Sequence, residues 1–479
     1  MRFKLSFAAV LLTACLVTPG RGDDWPQFRG AGGAAVSGDD RVPAEWGPEK
    51  NVAWKVKLPG YGWSCPIVVG GKVFVTTAVS DKQKKPTGDF GGPGGFGPPK
   101  GGGPGGFPKG GQAPDEVYKW ELHCLDAADG KVLWKQTAAE RKPAVSTNPT
   151  NGYATETPAA DAERVYAYFG GIGKVFCYDH AGKSLWSADI GAHPTQFGHG
   201  TASSPVVAGG RVFVQCDNEE KSFLVALDAK TGKELWRTPR AERTSWSTPL
   251  VWKTAARTEV VCAGSPTVRA YDPETGKQLW ELGGVSGQIK ASPVAGGELL
   301  YVGSPGGFGP PGGGLGPPGG GGAPGRPGMG GGSRVLLAVK PGATGDVTPK
   351  AGDTSTASVA WRLTNAGPAT ASPLVYQGYL YVPEDRGGLV ACYDAKTGKE
   401  QYKERVPGAR SFVASPWAYG GKVFLLDDAG TTHVIKAGAE FEALGANRLG
   451  EMCWSSPAVA SGALFLRTVD HLYCIRPGK

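Results

Sequence analysis

Trp63, Trp246, Trp454 and Lys290 share one address: each stands three residues before a proline that opens an apolar run. If repeated units bring the four to a common axis, their chemistry is that of a holder. Indole faces stack on flat ligands and an ammonium pairs with an anion, so together they would take a planar, anionic aromatic group. The same address in the other units carries Thr155, Ala202, Thr370 and Val413. One place nearer the prolines stand Ser64, Glu156, Ser203, Ser247, Ala291, Ala371, Ala414 and Ser455. Small side chains there suit a crowded axis, and Glu156 is the one charge among them. It is therefore the one carboxylate from which a catalytic base could come, and no fuller catalytic set can be named. The plainer expectation for the three tryptophans is that they plug a channel. His193 and His199 lie six apart on one loop with no third ligand at a suitable spacing, so local hydrogen bonding is expected and no metal site. The chain has no nucleophile elbow, phosphate loop or dinucleotide fingerprint, and Gly-x-Gly matches inside Gly-rich stretches reflect composition.

The elements that must position these residues repeat. Eight Ser-, Thr- or Cys-Pro dipeptides end at Pro66, Pro158, Pro205, Pro249, Pro293, Pro373, Pro416 and Pro457, spaced 92, 47, 44, 44, 80, 43 and 41 apart. The two long gaps contain Gly/Pro-rich stretches at 81–115 and 304–332; without them every unit is about 40–60 residues, the period of a β-propeller blade. Each unit carries short β-branched and aromatic runs separated by Gly-containing turns, the pattern of antiparallel hairpins. The turn Asp-x-x-Thr-Gly-Lys recurs at Asp228, Asp272 and Asp394, with looser forms at Asp126 and Asp179. After these turns comes an outer strand ending in Trp134, Trp186, Trp236, Trp280 or Tyr402. Trp361 is expected to close the fifth unit and Phe441 the seventh. The eighth unit ends at Cys474-Ile475 without an outer strand, whereas 51–56 reads as an outer strand with no blade before it. The chain is thus expected to be all-β: an eight-bladed propeller of four-stranded antiparallel blades, closed by the N-terminal strand joining the last blade. Such closure removes exposed sheet edges. The inserts interrupt blades one and five between second and third strands. Their composition cannot bury a core, and disorder is expected there.

Of 479 residues, 1–22 read as a secretion signal: Arg2 and Lys4, then an apolar stretch too short to span a bilayer. Leu12-Thr13-Ala14-Cys15 offers the alternative of a lipid on Cys15. Residues 23–45 form an N-terminal extension and 46–479 the propeller. The expected location is outside the cytoplasm: periplasm or cell envelope, lipid-anchored or released. Net charge is +8 without clustered Lys or Arg, which argues against a nucleic-acid partner. Cys124, Cys177, Cys392 and Cys474 fall at one repeat position, where other blades carry Ala226, Ala270 and Ala338. Equivalent positions lie far apart around a ring, so these cysteines cannot bridge and read as small core residues.

The segments Ala226–Trp236 and Ala270–Trp280 resemble the repeat of the pyrroloquinoline-quinone-like (PQQ-like) superfamily, and the resemblance runs from about 50 to 476. Asp24-Trp25-Pro26-Gln27-Phe28-Arg29-Gly30 is similar to the mature start of secreted propellers of this superfamily in planctomycete-type bacteria. The resemblance implies one of two functional classes. Quinoprotein alcohol and glucose dehydrogenases hold the quinone and a calcium ion on the axis, whereas the barrel-assembly lipoprotein of Gram-negative outer membranes uses the same ring as a scaffold. The vicinal Cys-Cys pair of the alcohol dehydrogenases and any haem motif are missing, and their calcium-binding set has no residue-by-residue match. The expectation is a monomeric, non-catalytic binding or scaffold protein with a protein or envelope partner and no cofactor. The alternative is a PQQ- and calcium-dependent dehydrogenase oxidising an alcohol or aldose, with Trp63, Trp246, Lys290 and Trp454 around the quinone.

Overall fold

The structure, a computed structural model, describes residues 24–83, 85–86, 112–306, 333–385 and 387–478. Cys15 and most of both Gly/Pro inserts lie outside them. Eight separate sheets follow one another around a ring, and each is a four-stranded antiparallel meander except the fourth. The third blade shows the local logic: Val206–Ala208, Arg211–Cys216, Phe223–Asp228 and Glu234–Pro239 pair in order, joined by tight turns. In the last turn Asp228 Oδ1 accepts the Thr231 N–H (2.8 Å) and hydroxyl (2.7 Å), an Asx-type turn that Gly232 completes at φ +73°.

That glycine serves the neighbouring blade as well. A Cβ on Gly232 would lie 2.4 Å from the indole of Trp186, the third residue of the blade-two outer strand Ser184–Asp189, so the aromatic stands near the start of the outer strand and not at its end as expected. The indole N–H donates to Ala229 O in the same turn at 3.1 Å. Trp134, Trp236 and Trp361 dock on the following blades in the same way, onto carbonyls of His180, Pro273 and Ala395. Each tryptophan thus couples an apolar face to a satisfied N–H across a blade junction. Trp280 departs from the pattern. It donates to Glu259 within its own blade (2.6 Å), and its strand, Gln278–Leu282, gains a fifth, parallel partner at Gly345–Asp346. Phe441 also differs from expectation. The outer strand of blade seven is Ala443–Arg448, largely exposed, and Phe441 precedes it with its ring turned back onto Tyr402 (5.6 Å).

Ring closure is as expected. Val52–Lys57 pairs antiparallel with His471–Ile475, so the eighth sheet is ordered N-terminal strand, last strand, Ala463–Arg467, Ala458–Ala460. Trp54 from this strand donates to Ala127 O of blade one (3.2 Å), which fastens the closing strand to the first blade. Glu451 secures the same junction. Its carboxylate accepts from Lys55 (2.8 Å), Thr468 (2.6 Å), His471 (2.9 Å) and Tyr473 (2.6 Å). Burial pushes this carboxyl up, but the donors, Lys55 first, outweigh it and hold it down at about 2. A depressed carboxyl stabilises the fold above its unfolded value of 4.5 and loses that contribution as pH falls towards 2. Glu451→Gln is therefore expected to cost about 1–2 kcal/mol at pH 7, allowing for solvent screening, and almost nothing near pH 2. Urea titrations of both proteins across that range check it.

Among the described residues all eight cysteines are free and buried, in keeping with the reading of Cys124, Cys177, Cys392 and Cys474 as core residues. No described helix is long and apolar enough to cross a membrane.

Candidate functional site on the propeller axis

A cavity of about 230 Å³ sits on the axis. All eight residues three before the repeat prolines line it, including Trp63, Trp246, Lys290 and Trp454. The residues immediately before the prolines line it too: Cys65, Thr157, Ser204, Thr248, Ser292, Ser372, Ser415 and Ser456. Of the intervening set only Ala414 reaches it. Extended backbone turns alternate side chains to opposite sides, so positions three and one before proline face inward while position two faces away. The small residues at that middle position therefore answer crowding between blades and not at the axis. Glu156 belongs to it. Its side chain is 2% exposed, outside the cavity wall, and accepts the Gly170 N–H (3.1 Å) and the Thr201 hydroxyl. Burial pushes its carboxyl above the usual range, against the hydrogen bond from Thr201.

The hydroxyls before the prolines form a belt, which the sequence reading treated only as a repeat marker. The Cys65 N–H donates to Thr157 Oγ1, Thr157 to Ser204, Ser204 to Thr248 and Thr248 to Ser292, all at 3.0 Å. Ser292 continues to Ser372 (2.9 Å), Ser372 to Ser415 (3.0 Å) and Ser415 to Ser456 (2.9 Å). At the eighth junction the Ser456 backbone meets the Cys65 thiol. Each blade thus satisfies a buried N–H of its neighbour, and the proline that follows has no N–H to satisfy. The requirement for Ser, Thr or Cys at all eight positions was the visible signal of this belt.

The N-terminal extension seals the axis beyond the belt. Trp25 pairs with Val68 in both directions (2.7 and 2.9 Å), Pro26 O accepts from Ala160 (2.7 Å), and Gln27 Oε1 accepts from Val207 (3.3 Å). Arg29 reaches the carbonyls of Ser372 and Pro373, and Ala35 and Ser37 pair with Ala418. The strap therefore crosses inner strands on opposite sides of the ring, and Phe28 enters the cavity wall.

Around the cavity, the indole N–H groups are already committed: Trp63 to Thr150 O (2.8 Å), Trp246 to Gly200 O (2.7 Å) and Trp454 to Asp428 O (3.3 Å). Trp63 and Trp454 stack on each other at 5.0 Å and 26°. What the indoles present to a ligand is thus ring surface. His199, on the blade-three loop, is also in the wall, beside Trp246 (6.0 Å). Burial and then the Lys290 charge pull its imidazole below its ordinary value, which keeps it neutral. His193 pairs with Glu220 instead (3.3 Å). Lys290 is itself pulled down by burial and held up by Asp385, whose own carboxyl accepts the Thr370 hydroxyl at 2.9 Å.

These residues do not fit a calcium-bound quinone. Calcium gathers about 6–8 oxygens, carboxylates prominent among them. The wall contains no Asp or Glu, and the Asn151 carbonyl oxygen already accepts from Thr155 (2.5 Å) and Gly152 (2.9 Å). Among the described residues no group of three His, Cys, Asp or Glu side chains could hold a metal ion.

Comparison with known proteins agrees with the architecture. A polyvinylalcohol dehydrogenase from a Pseudomonas species is 26% identical over 204 residues, a match covering 33% of this chain and 30% of that protein, less than a third of its length. The quinohaemoprotein alcohol dehydrogenase ADHIIG of Pseudomonas putida HK5 superposes with a TM-score of 0.52 at 12% identity, over 96% of this chain and 81% of that one. BamB from Moraxella catarrhalis gives 0.48 at 13% identity, over 75% and 89%. The likeness to the dehydrogenase structure is one of fold. The family model described as outer membrane protein assembly factor BamB matches residues 96–244 and 343–472, more than half of the chain, and the protein belongs to this PQQ-like propeller family.

Proposed function

We propose that this protein is a non-catalytic binding and scaffold propeller of the cell envelope, exported by its N-terminal signal. It offers the axial cavity and the loops around its mouth to a ligand or protein partner. One observation carries the reading: the belt hydroxyls and indole N–H groups of the cavity wall are spent on holding the ring together. The belt hydroxyls accept neighbouring N–H groups, the indole N–H groups are tied to loop carbonyls, and the one carboxylate of the pre-proline rings, Glu156, faces Thr201. The wall holds no Asp or Glu, and the base that it does hold, His199, lies beside the Trp246 ring. The reading predicts that purified protein mixed with pyrroloquinoline quinone and calcium reduces no dye with alcohols or aldoses. Stoichiometric quinone binding with turnover would overturn it.

A second reading, a quinone- and calcium-dependent dehydrogenase, draws on the sequence kinship with the polyvinylalcohol dehydrogenase. It predicts the opposite result in the same assay, with turnover abolished by a calcium chelator.

A further inference from the structure

Behind the axial wall, where blades two, three and four meet, lies a second cavity of about 10 Å³. Ala202 lines both cavities, so one small side chain stands between them. The rest of the wall is mostly polar, and nearly all of its polar groups are spent within the protein. Asp217 accepts from Arg240 (2.7 and 3.1 Å), Ser245 (2.8 Å) and Gln215 Nε2 (2.7 Å), so its charge is matched. Asn218 Oδ1 accepts the N–H groups of Glu220 and Lys221, and its amide donates to Cys216 O and Lys221 O. Thr201 donates to Glu156, and His193 pairs with Glu220.

Two atoms of the wall differ. Gln215 Oε1 and Ser203 Oγ have no hydrogen-bond partner among the described residues, although Gln215 is 1% and Ser203 6% exposed. Turning the Gln215 amide over gives no remedy. Its Nε2 already donates to Asp217 Oδ2, to Ser245 Oγ (3.0 Å) and to Ala263 O (2.8 Å). The flipped amide would set its oxygen against a carboxylate and a carbonyl. The orphan is therefore a carbonyl oxygen, and it requires a donor. Buried acceptors find one either in the protein or in ordered solvent.

We propose that this second cavity is an internal hydration site that holds one water molecule. The water donates to Gln215 Oε1 and takes the proton of the Ser203 hydroxyl. Thr195, also in the wall, accepts the Gly200 N–H at 2.8 Å and can give its own proton as a third bond. Size decides the identity of the guest. A water needs about 10–15 Å³ of such space and two to four polar partners, which this cavity just meets, and nothing larger fits. An anion would face the Gln215 carbonyl, and a cation would lack a counter-charge because Arg240 already answers Asp217. The water ties the segment entering blade three, through Ser203, to that blade's second strand, through Gln215. Ala202 holds the address where blades one, four and eight carry tryptophan. Its small side chain makes the axial cavity the route by which the water exchanges with solvent.

High-resolution crystallography of the full chain tests this, with crystals grown from sodium and from rubidium salts. The expected result is one ordered, oxygen-sized peak within hydrogen-bond distance of both Gln215 Oε1 and Ser203 Oγ, the same in either salt. In Ser203→Val the added methyl groups take up the cavity, and the peak should be lost. Water oxygen-17 relaxation dispersion in solution should then count one long-lived water fewer in Ser203→Val than in the unmodified protein. If Ser203→Val fails to fold, the peak in the unmodified protein decides alone. Absence of that peak overturns the proposal, as does a Gln215 side chain turned so that Oε1 meets a protein N–H. An anomalous rubidium signal at the position, or a peak that survives in Ser203→Val, overturns it equally.

Discussion

Trp54→Ala is expected to remove about 3–5 kcal/mol of stability, the cost of truncating a large buried aromatic. The side chain stands where the N-terminal strand, paired with the last strand of the chain, meets blade one. The strand pairs Trp54 with Cys474, Val56 with Leu472 and Lys57 with His471. From there the indole packs beside Phe465 (5.9 Å), donates to Ala127 O, and covers Gly130 of blade one so closely that a Cβ there would lie 2.7 Å away. Trp134 and Trp186 make the same kind of contact between blades that consecutive chain already connects. The chain likewise runs from the Trp54 strand into blade one, but no loop backs up the pairing of that strand with His471–Ile475, which Trp54 helps to hold. Its loss leaves the last sheet with a weakened outer strand and a ring free to part at that seam. Chemical denaturation checks the value, and a cost below about 1 kcal/mol would mean that the ring closes by other contacts.

Much of this architecture was legible in the chain. The eight prolines counted the blades, and the outer strand at 51–56 with no blade of its own announced where the ring would close. Those signals are local: turn residues at fixed offsets and an aromatic at a fixed distance after each turn. The residues three before each proline were also placed correctly on the axis, since a repeat puts equivalent positions at equivalent radii. Glu156 was misplaced relative to that axis because alternation was not applied to the next position along. Phe441 failed for a different reason. An aromatic after a strand can pack backward as readily as forward, and here Tyr402 offered the better partner. The belt was hidden because a Ser-Pro dipeptide looks like a turn signal until the neighbouring blade is in place. The strap was invisible because its partners, Val68, Ala160, Val207, Ser372 and Ala418, lie far from it along the chain. No local pattern encodes contacts of that separation.

The strap yields the second large effect. Trp25→Ala removes a side chain that is 5% exposed and over which the strap folds back, with Gly30 at φ +77° and its hypothetical Cβ 2.9 Å from the indole. A cost of about 3–5 kcal/mol is expected, together with opening of the cavity from below. Cys65 reports that opening. It lines the cavity, it lies within electrostatic reach of Arg29, and burial keeps its thiol protonated and unreactive. The other described thiols are buried and outside the cavity wall, Cys453 among them within electrostatic reach of Cys65.

That the axis is a chamber closed from below by the chain's own N-terminal segment is what the binding reading requires. Thiol titration with an aromatic disulfide under native conditions tests it directly. Among the described cysteines, no thiol is expected to react rapidly in the unmodified protein, one in Trp25→Ala, and none once Cys65→Ser is added to that variant. Rapid reaction of Cys65 in the unmodified protein, or no gain in Trp25→Ala despite its lost stability, would contradict it. Release of all the thiols together would report global unfolding, and Phe28→Ala, which trims the floor and leaves the Trp25–Val68 pairing intact, must then expose Cys65 alone.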